Sequence, residues 1–74
     1  MRKYTIVLLP EVEGGYSVFV PALPGCVTQG ETIEDCVVMA KDAISLWIES
    51  LEADGEVVPE ETDRPTVVIA SVAA

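Results

Sequence analysis

One amphipathic segment in the second half of the chain constrains the fold more than any other feature. Its apolar residues recur at spacings of three and four, as on one face of an α-helix: Ile33, Val37, Ala40, Ile44, Trp47, Ile48 and Leu51. Thr32 is a suitable N-cap, and acidic residues follow it in the first turn. Gly55 is a suitable C-terminal stop. The pattern predicts a helix from Thr32 to about Asp54, with Trp47 buried in its stripe.

Short runs of β-branched and aromatic residues predict strands on both sides of this helix. The first two extend from Tyr4 to Leu9 and from Tyr16 to Val20, and each is followed by a proline. The paired glycines Gly14-Gly15 between them suit a hairpin loop. A third strand is predicted at Cys26–Gln29 and a fourth at Thr66–Val72. The order β-β-β-α-β indicates an α+β domain, an antiparallel sheet with one helix packed on one face.

The length of the chain limits how much of its apolar content a core can take up. Its 74 residues suffice for one domain, which we expect to span residues 1–74. A domain of this size buries only about 60% of the surface that its unfolded chain exposes. Half of the residues are nevertheless hydrophobic. The surplus either fills an unusually apolar core or forms a surface that another copy, or another protein, covers.

The alternation of side chains along the first two strands predicts where some of these surplus hydrophobic residues lie. One face, which should meet the helix, carries Tyr4, Ile6, Leu8, Tyr16, Val18 and Val20. The opposite face retains Val7, Leu9 and Phe19, where a solvated face would alternate to polar residues. These three residues are the candidate protein interface, and we expect the chain to form homo-oligomers through them or through an exposed edge strand. The alternative is that they are isolated exposed apolar residues without a role.

The charge balance favours a protein partner over a nucleic acid. Thirteen acidic residues face four basic ones, for a formal net charge of -9. Nucleic-acid binding requires the opposite balance, because Lys and Arg must neutralise phosphates. A basic protein is the complementary partner. The alternative is that the acidity only keeps a hydrophobic small domain in solution.

The sequence shows no recognisable set of residues for catalysis, metal binding or membrane insertion. The chain has no histidine, and its first two predicted strands carry no carboxylate for a metal-dependent nuclease. Cys26 and Cys36 are expected to be small core residues rather than a disulfide framework. No apolar run approaches the roughly 18 residues of a membrane span, and no signal peptide is recognisable. We therefore expect a soluble, cytoplasmic protein that is not an enzyme and has no cofactor or metal.

Several short motifs occur along the first 59 residues: Tyr4-Thr5-Ile6-Val7, Gly14-Gly15-Tyr16, Val20-Pro21-Ala22-Leu23-Pro24-Gly25-Cys26, Gln29-Gly30-Glu31-Thr32, Ala40-Lys41-Asp42-Ala43-Ile44 and Asp54-Gly55-Glu56. Together, over about residues 4–59, they resemble the N-terminal domain of HicB-family antitoxins. The combination of the proline–glycine turn with the Gly-x-Thr helix start is specific, whereas each motif alone is weak.

The resemblance implies a partial ribonuclease-H-like fold and an antitoxin function. A domain of this kind would bind a small basic ribonuclease of the HicA type, which cleaves messenger RNA, and mask its active site. Family antitoxins usually carry a second, C-terminal DNA-binding module, which we do not expect in this chain. The alternative is an orphan homo-oligomeric domain, structural or regulatory, without a toxin partner.

Overall fold

The computed structural model describes residues 2–61 and 64–73 and confirms an α+β fold. Three antiparallel strands precede a single helix: β1 Val7–Pro10, β2 Tyr16–Phe19, β3 Val27–Gly30 and α1 Ile33–Ala53. The strand order in the sheet is β1-β2-β3, so β2 is central, and among the described residues one edge each of β1 and β3 has no neighbouring strand. Helix α1 packs on one face, mainly against β3 and β2.

The register of the strands assigns every side chain of the sheet to a face. Val7 pairs with Phe19, which pairs with Val27, so these three form a row across the sheet. Leu8, Val18 and Thr28 form the next row, on the opposite face. Because alternate residues point to opposite faces, the helix side and the outer side follow from this register alone.

The hairpin loop and the two ends of the helix have the geometry that the sequence predicts. The hairpin loop closes when the backbone N–H of Glu11 donates to the carbonyl of Gly15, whose φ is 73°. This left-handed conformation favours glycine. At the helix start, the hydroxyl of Thr32 accepts from the backbone N–H of Asp35, as an N-cap does. At the helix end, the N–H of Glu56 donates to the carbonyl of Leu51, past a C-cap at Asp54.

Two small clusters between sheet and helix form the core. One contains the buried residues Val18, Cys36 and Ala40, and the other contains Val20, Leu23 and Cys26. Leu23, from the proline–glycine turn, has no exposed surface. Both cysteines are buried and unpaired in a disulfide, which confirms them as small core residues. The sheet face predicted to meet the helix is the one that does.

The helical stripe is only partly covered, which corrects the prediction for Trp47. That residue is half-buried and packs against the cluster of Val20, Leu23 and Cys26. Along the stripe, Ile33 and Val37 are exposed, while the fully buried helix positions are Cys36 and Ala40. The core therefore centres on the small residues of α1, because the sheet approaches the helix most closely there, and the larger apolar residues lie at its margins.

The strand boundaries also need correction, above all at Thr66–Val72. Within residues 64–73 no strand is present, and Val67, Val68 and Ile69 are all exposed. Strand propensity describes how residues suit a pleated surface, but a strand forms only when an edge pairs with it. Among the described residues no strand pairs with this segment. Just before β1, the backbone N–H of Thr5 donates to the Glu61 carboxylate rather than to a neighbouring strand. The first strand is accordingly shorter than predicted and begins at Val7.

Candidate functional site

The outer sheet face, which we define as Val7, Leu9, Phe19 and Val27, brings the three predicted interface residues together. Val7 and Phe19 are paired neighbours in the register, and Leu9 lies two residues along β1 on the same side. Leu9 and Phe19 are exposed and Val7 is half-buried. Helix α1 covers the opposite side of the sheet, so the outer sheet face is open.

Val27 belongs to this face although the sequence reasoning did not include it. It pairs with Phe19 and leaves 67% of its surface exposed. The alternation of side chains along β3 indicates this position, since Val27 and Gln29 lie on one side of the sheet and Thr28 lies on the other. The turns that flank the third strand mark its position but do not indicate which of its side chains share a face.

A polar and acidic margin adjoins the outer sheet face at one end. Ser17 pairs with Leu9 and its hydroxyl donates to the Glu11 carboxylate. Glu11 follows β1 directly and opens the hairpin loop. A shallow depression of about 590 Å³ lies along the face and is lined by Leu9, Ser17, Val18, Phe19, Val27, Thr28 and Gln29. The arrangement is an apolar patch with a carboxylate at its rim, which suits a partner surface that combines apolar and basic groups.

The buried thiols do not contribute a reactive group to any surface. Burial raises the pKa of the Cys36 thiol, and the nearby carboxylates of Asp35 and Glu31 raise it further. Burial likewise raises the pKa of the Cys26 thiol. A thiol must ionise to act as a nucleophile or a metal ligand. Both therefore remain protonated core groups near neutral pH.

Metal ligands and membrane spans are likewise not found in the described parts of the chain. Among residues 2–61 and 64–73, no three Cys, Asp or Glu side chains come together as a metal-binding group. The described residues contain one helix, α1, and it is not apolar enough over a sufficient length to cross a membrane.

A second open surface, the β1-side groove, lies between the N-terminal segment and helix α1. Its floor contains the apolar residues Ile6, Val37, Ile44 and Ile48. Arg2, Lys3 and Lys41 also line it, which places three of the four basic residues of the chain at one groove. The groove has a volume of about 830 Å³.

Comparison with known proteins gives a consistent result. A family described as "HicB_like antitoxin of bacterial toxin-antitoxin system" matches residues 4–70. A UPF0150 protein of Thermoplasma acidophilum is 41% identical over 66 residues, which cover 89% of this chain and 96% of that relative. A UPF0150 protein of Synechocystis is 47% identical over 59 residues, which cover 80% and 75%. Antitoxin HicB of Escherichia coli K12 is 37% identical over 57 residues, and the match covers 41% of that antitoxin.

Proposed function

Because the chain belongs to the HicB-like antitoxin family, we propose that it binds a HicA-type toxin and masks the active site with which that toxin cleaves messenger RNA. The role is one of binding rather than catalysis, and the encounter takes place in the cytoplasm. The observation that carries the proposal is the outer sheet face, an apolar surface on an otherwise strongly acidic domain.

The size of the outer sheet face indicates how the toxin would be held. Strands of four residues span roughly 13 Å, and three strands about 4.8 Å apart make a face of similar width. A stable protein complex usually buries about 800 Å² on each partner. The outer sheet face is smaller than that, so the toxin must also contact its surroundings, including Glu11 at the rim.

The charge of the domain would assist the encounter with a basic toxin. A net charge of -9 attracts a cationic partner over several ångströms, and salt screens this attraction beyond a Debye length of about 10 Å at 0.1 M. The association rate should therefore fall as salt rises. The dissociation rate should change less, because it depends on the buried apolar contacts.

Co-expression with a HicA-type toxin from the neighbouring reading frame tests this proposal. Wild type should restore growth, and Phe19→Glu should not, because it places a charge in the centre of the outer sheet face. Leu46→Glu is the matched control: Leu46 is also exposed but lies on the helix. Both variants should retain wild-type helix content by circular dichroism. Growth arrest that persists with soluble, folded wild type would overturn the proposal.

A second candidate function is that of an orphan homo-oligomeric domain. The outer sheet face supports it, because a second copy could bury the same exposed apolar residues, Leu9, Phe19 and Val27. A neighbouring reading frame for a short basic protein with a single histidine would favour the antitoxin instead. Failure of the chain to bind that protein, together with self-association, would favour the orphan.

Under either function, we expect this chain alone not to bind operator DNA. Its four basic residues face thirteen acidic ones, so it lacks the positive surface that phosphate neutralisation requires. A gel-shift assay with the chain and its operator region should show no complex. A specific shift at physiological salt would contradict this expectation.

A further inference from the structure

A third open surface, the hairpin-side groove, lies between the β1–β2 hairpin loop and the first turns of α1. Its apolar lining comes from Tyr16, Val38 and Met39, and Gly15 and Gly30 also line it. Val38 and Met39 leave 58% and 43% of their surfaces exposed. The groove has a volume of about 450 Å³. It is an open, largely apolar slot at one end of the sheet.

The charged groups of the hairpin-side groove are all acidic among the described residues. Glu11, Glu31 and Asp35 line it. The Glu31 carboxylate lies against the hairpin loop, because a Cβ added to Gly15 would be 3.4 Å from its Oε2. Three of the four basic residues of the chain line the β1-side groove instead. Carboxylates that share one groove repel each other, and a bound cation relieves this repulsion.

The hairpin-side groove is continuous with the outer sheet face. Gln29 lines both this groove and the depression along the outer sheet face. Glu11, at the rim of that face, lines the groove as well. A partner that covers the outer sheet face therefore reaches the groove around the end of the sheet. Because that face alone is smaller than a usual interface, the groove supplies further contact area for the same partner.

We propose that the hairpin-side groove binds an arginine side chain of the toxin that covers the outer sheet face. The apolar stem of the arginine packs against Val38 and Met39. Its guanidinium lies against the Tyr16 ring and donates to the carboxylates of Glu31 and Asp35. The inference rests on the proposed function and adds to it the contact by which a basic partner is recognised.

The mixed lining of the groove favours arginine over lysine as the occupant. A guanidinium is planar, stacks on aromatic surfaces and has five N–H donors in a fixed arrangement that suits several carboxylates at once. The ammonium group of lysine is compact and strongly hydrated, so it gains less from an aromatic and apolar wall. The hairpin-side groove combines such a wall with three carboxylates.

Calorimetric titration with the purified HicA-type toxin tests the proposal in charge-matched variants. Glu31→Gln combined with Asp35→Asn should weaken toxin binding on the order of 30-fold, because the arginine loses its charged acceptors. Glu34→Gln combined with Asp42→Asn is the matched control. It removes the same charge from α1, including one first-turn carboxylate, but neither residue lines the groove. It should weaken binding less than about threefold, through reduced steering alone.

The outcomes separate this inference from the proposed function. Equal weakening by both pairs of substitutions would show that the acidic residues attract the toxin only at long range. That result would overturn the arginine site and leave the proposed function in place. Wild type that does not bind the toxin would overturn the proposed function and, with it, the toxin as the source of the arginine. Both double variants should keep wild-type helix content by circular dichroism.

A small probe tests the groove without the toxin. Titration of N-acetyl-arginine amide into isotope-labelled chain should shift the backbone amide NMR signals of Gly15, Gly30 and Val38. N-acetyl-lysine amide at the same concentration should shift them much less. The Glu31→Gln, Asp35→Asn variant should lose the arginine shifts, and the control variant should keep them. Groove signals that do not move, or that move equally with the two probes, would overturn the proposal.

Discussion

Helix α1 has two sides that differ sharply in how they are covered. Toward β3 the packing leaves no room: a Cβ added to Gly30 would lie 2.9 Å from the backbone nitrogen of Cys36 and 2.9 Å from its Sγ. Toward β1, the same helix borders a groove of about 830 Å³ with Val37 and Ile48 along it. The helix is apolar on both sides, but the sheet is wide enough to cover only one.

The comparison shows which side of the helix contributes most to the core of this small domain. On the β3 side the closest approach is at Cys36, a small buried residue that packs with Val18. On the β1 side and on the outer sheet face, larger apolar residues remain at least partly exposed. Three short strands cannot bury the apolar half of a 74-residue chain, so part of it stays at the surface.

The largest effect is expected on the closed side. Leu23→Ala removes a side chain with no exposed surface from the cluster with Val20 and Cys26. It should lower the free energy of unfolding by about 2–5 kcal/mol, as large-to-small core changes do. Urea denaturation followed by Trp47 fluorescence measures this. An unfolding midpoint equal to that of wild type would show that this cluster does not dominate the core.

A smaller effect is expected on the open side. Ile48 is half-buried in the β1-side groove, so Ile48→Ala should lower the free energy of unfolding by about 1 kcal/mol, less than Leu23→Ala. Urea denaturation checks this, and a loss as large as that of Leu23→Ala would contradict an open groove.

The smallest effect is expected at the contact between Glu61 and Thr5, and it depends on pH. Hydrogen bonds from the hydroxyl and then the backbone N–H of Thr5 hold the pKa of Glu61 below its ordinary value of 4.5, and Arg64 adds to this. A depressed carboxyl pKa stabilises the fold above 4.5, and this contribution is lost as the pH falls through the lower folded value. Glu61→Gln should therefore be less stable than wild type at neutral pH only.

The matched control for this change is Glu60→Gln, which alters the neighbouring charge without removing a contact to Thr5. Urea denaturation at neutral pH and at a pH well below 4.5 distinguishes the two variants. A stability difference between Glu61→Gln and wild type that persists unchanged in acid would show that the ionised carboxylate is not what stabilises this contact.

The sequence correctly predicted the features that depend only on neighbouring residues: the helix ends, the hairpin loop and the faces of the first two strands. Thr32 caps the start of the helix and Gly55 ends it with a positive φ, so both satisfy backbone groups of the helix itself. Gly15 adopts the left-handed conformation that its hairpin requires. The placement of Val7, Leu9 and Phe19 on one face followed from alternation alone. Each of these depends on neighbours within a few residues.

What the sequence could not predict depends on distant partners. Thr66–Val72 has the composition of a strand, but composition does not specify an edge with which to pair, and no strand of residues 2–61 pairs with it. The apolar spacing of Ile33 and Val37 indicates a helix face, but not how far the sheet extends over it. Whether Trp47 is fully buried depends likewise on the turn that packs against it.

The central claim, that the outer sheet face neutralises a HicA-type toxin, is tested most directly by titrating the purified chain into the toxin while messenger RNA cleavage is followed. Cleavage should fall in proportion to added wild type until none remains. Phe19→Glu should leave most cleavage intact, while Leu46→Glu should act as wild type does. Cleavage that continues at its full rate in excess folded wild type would contradict the account.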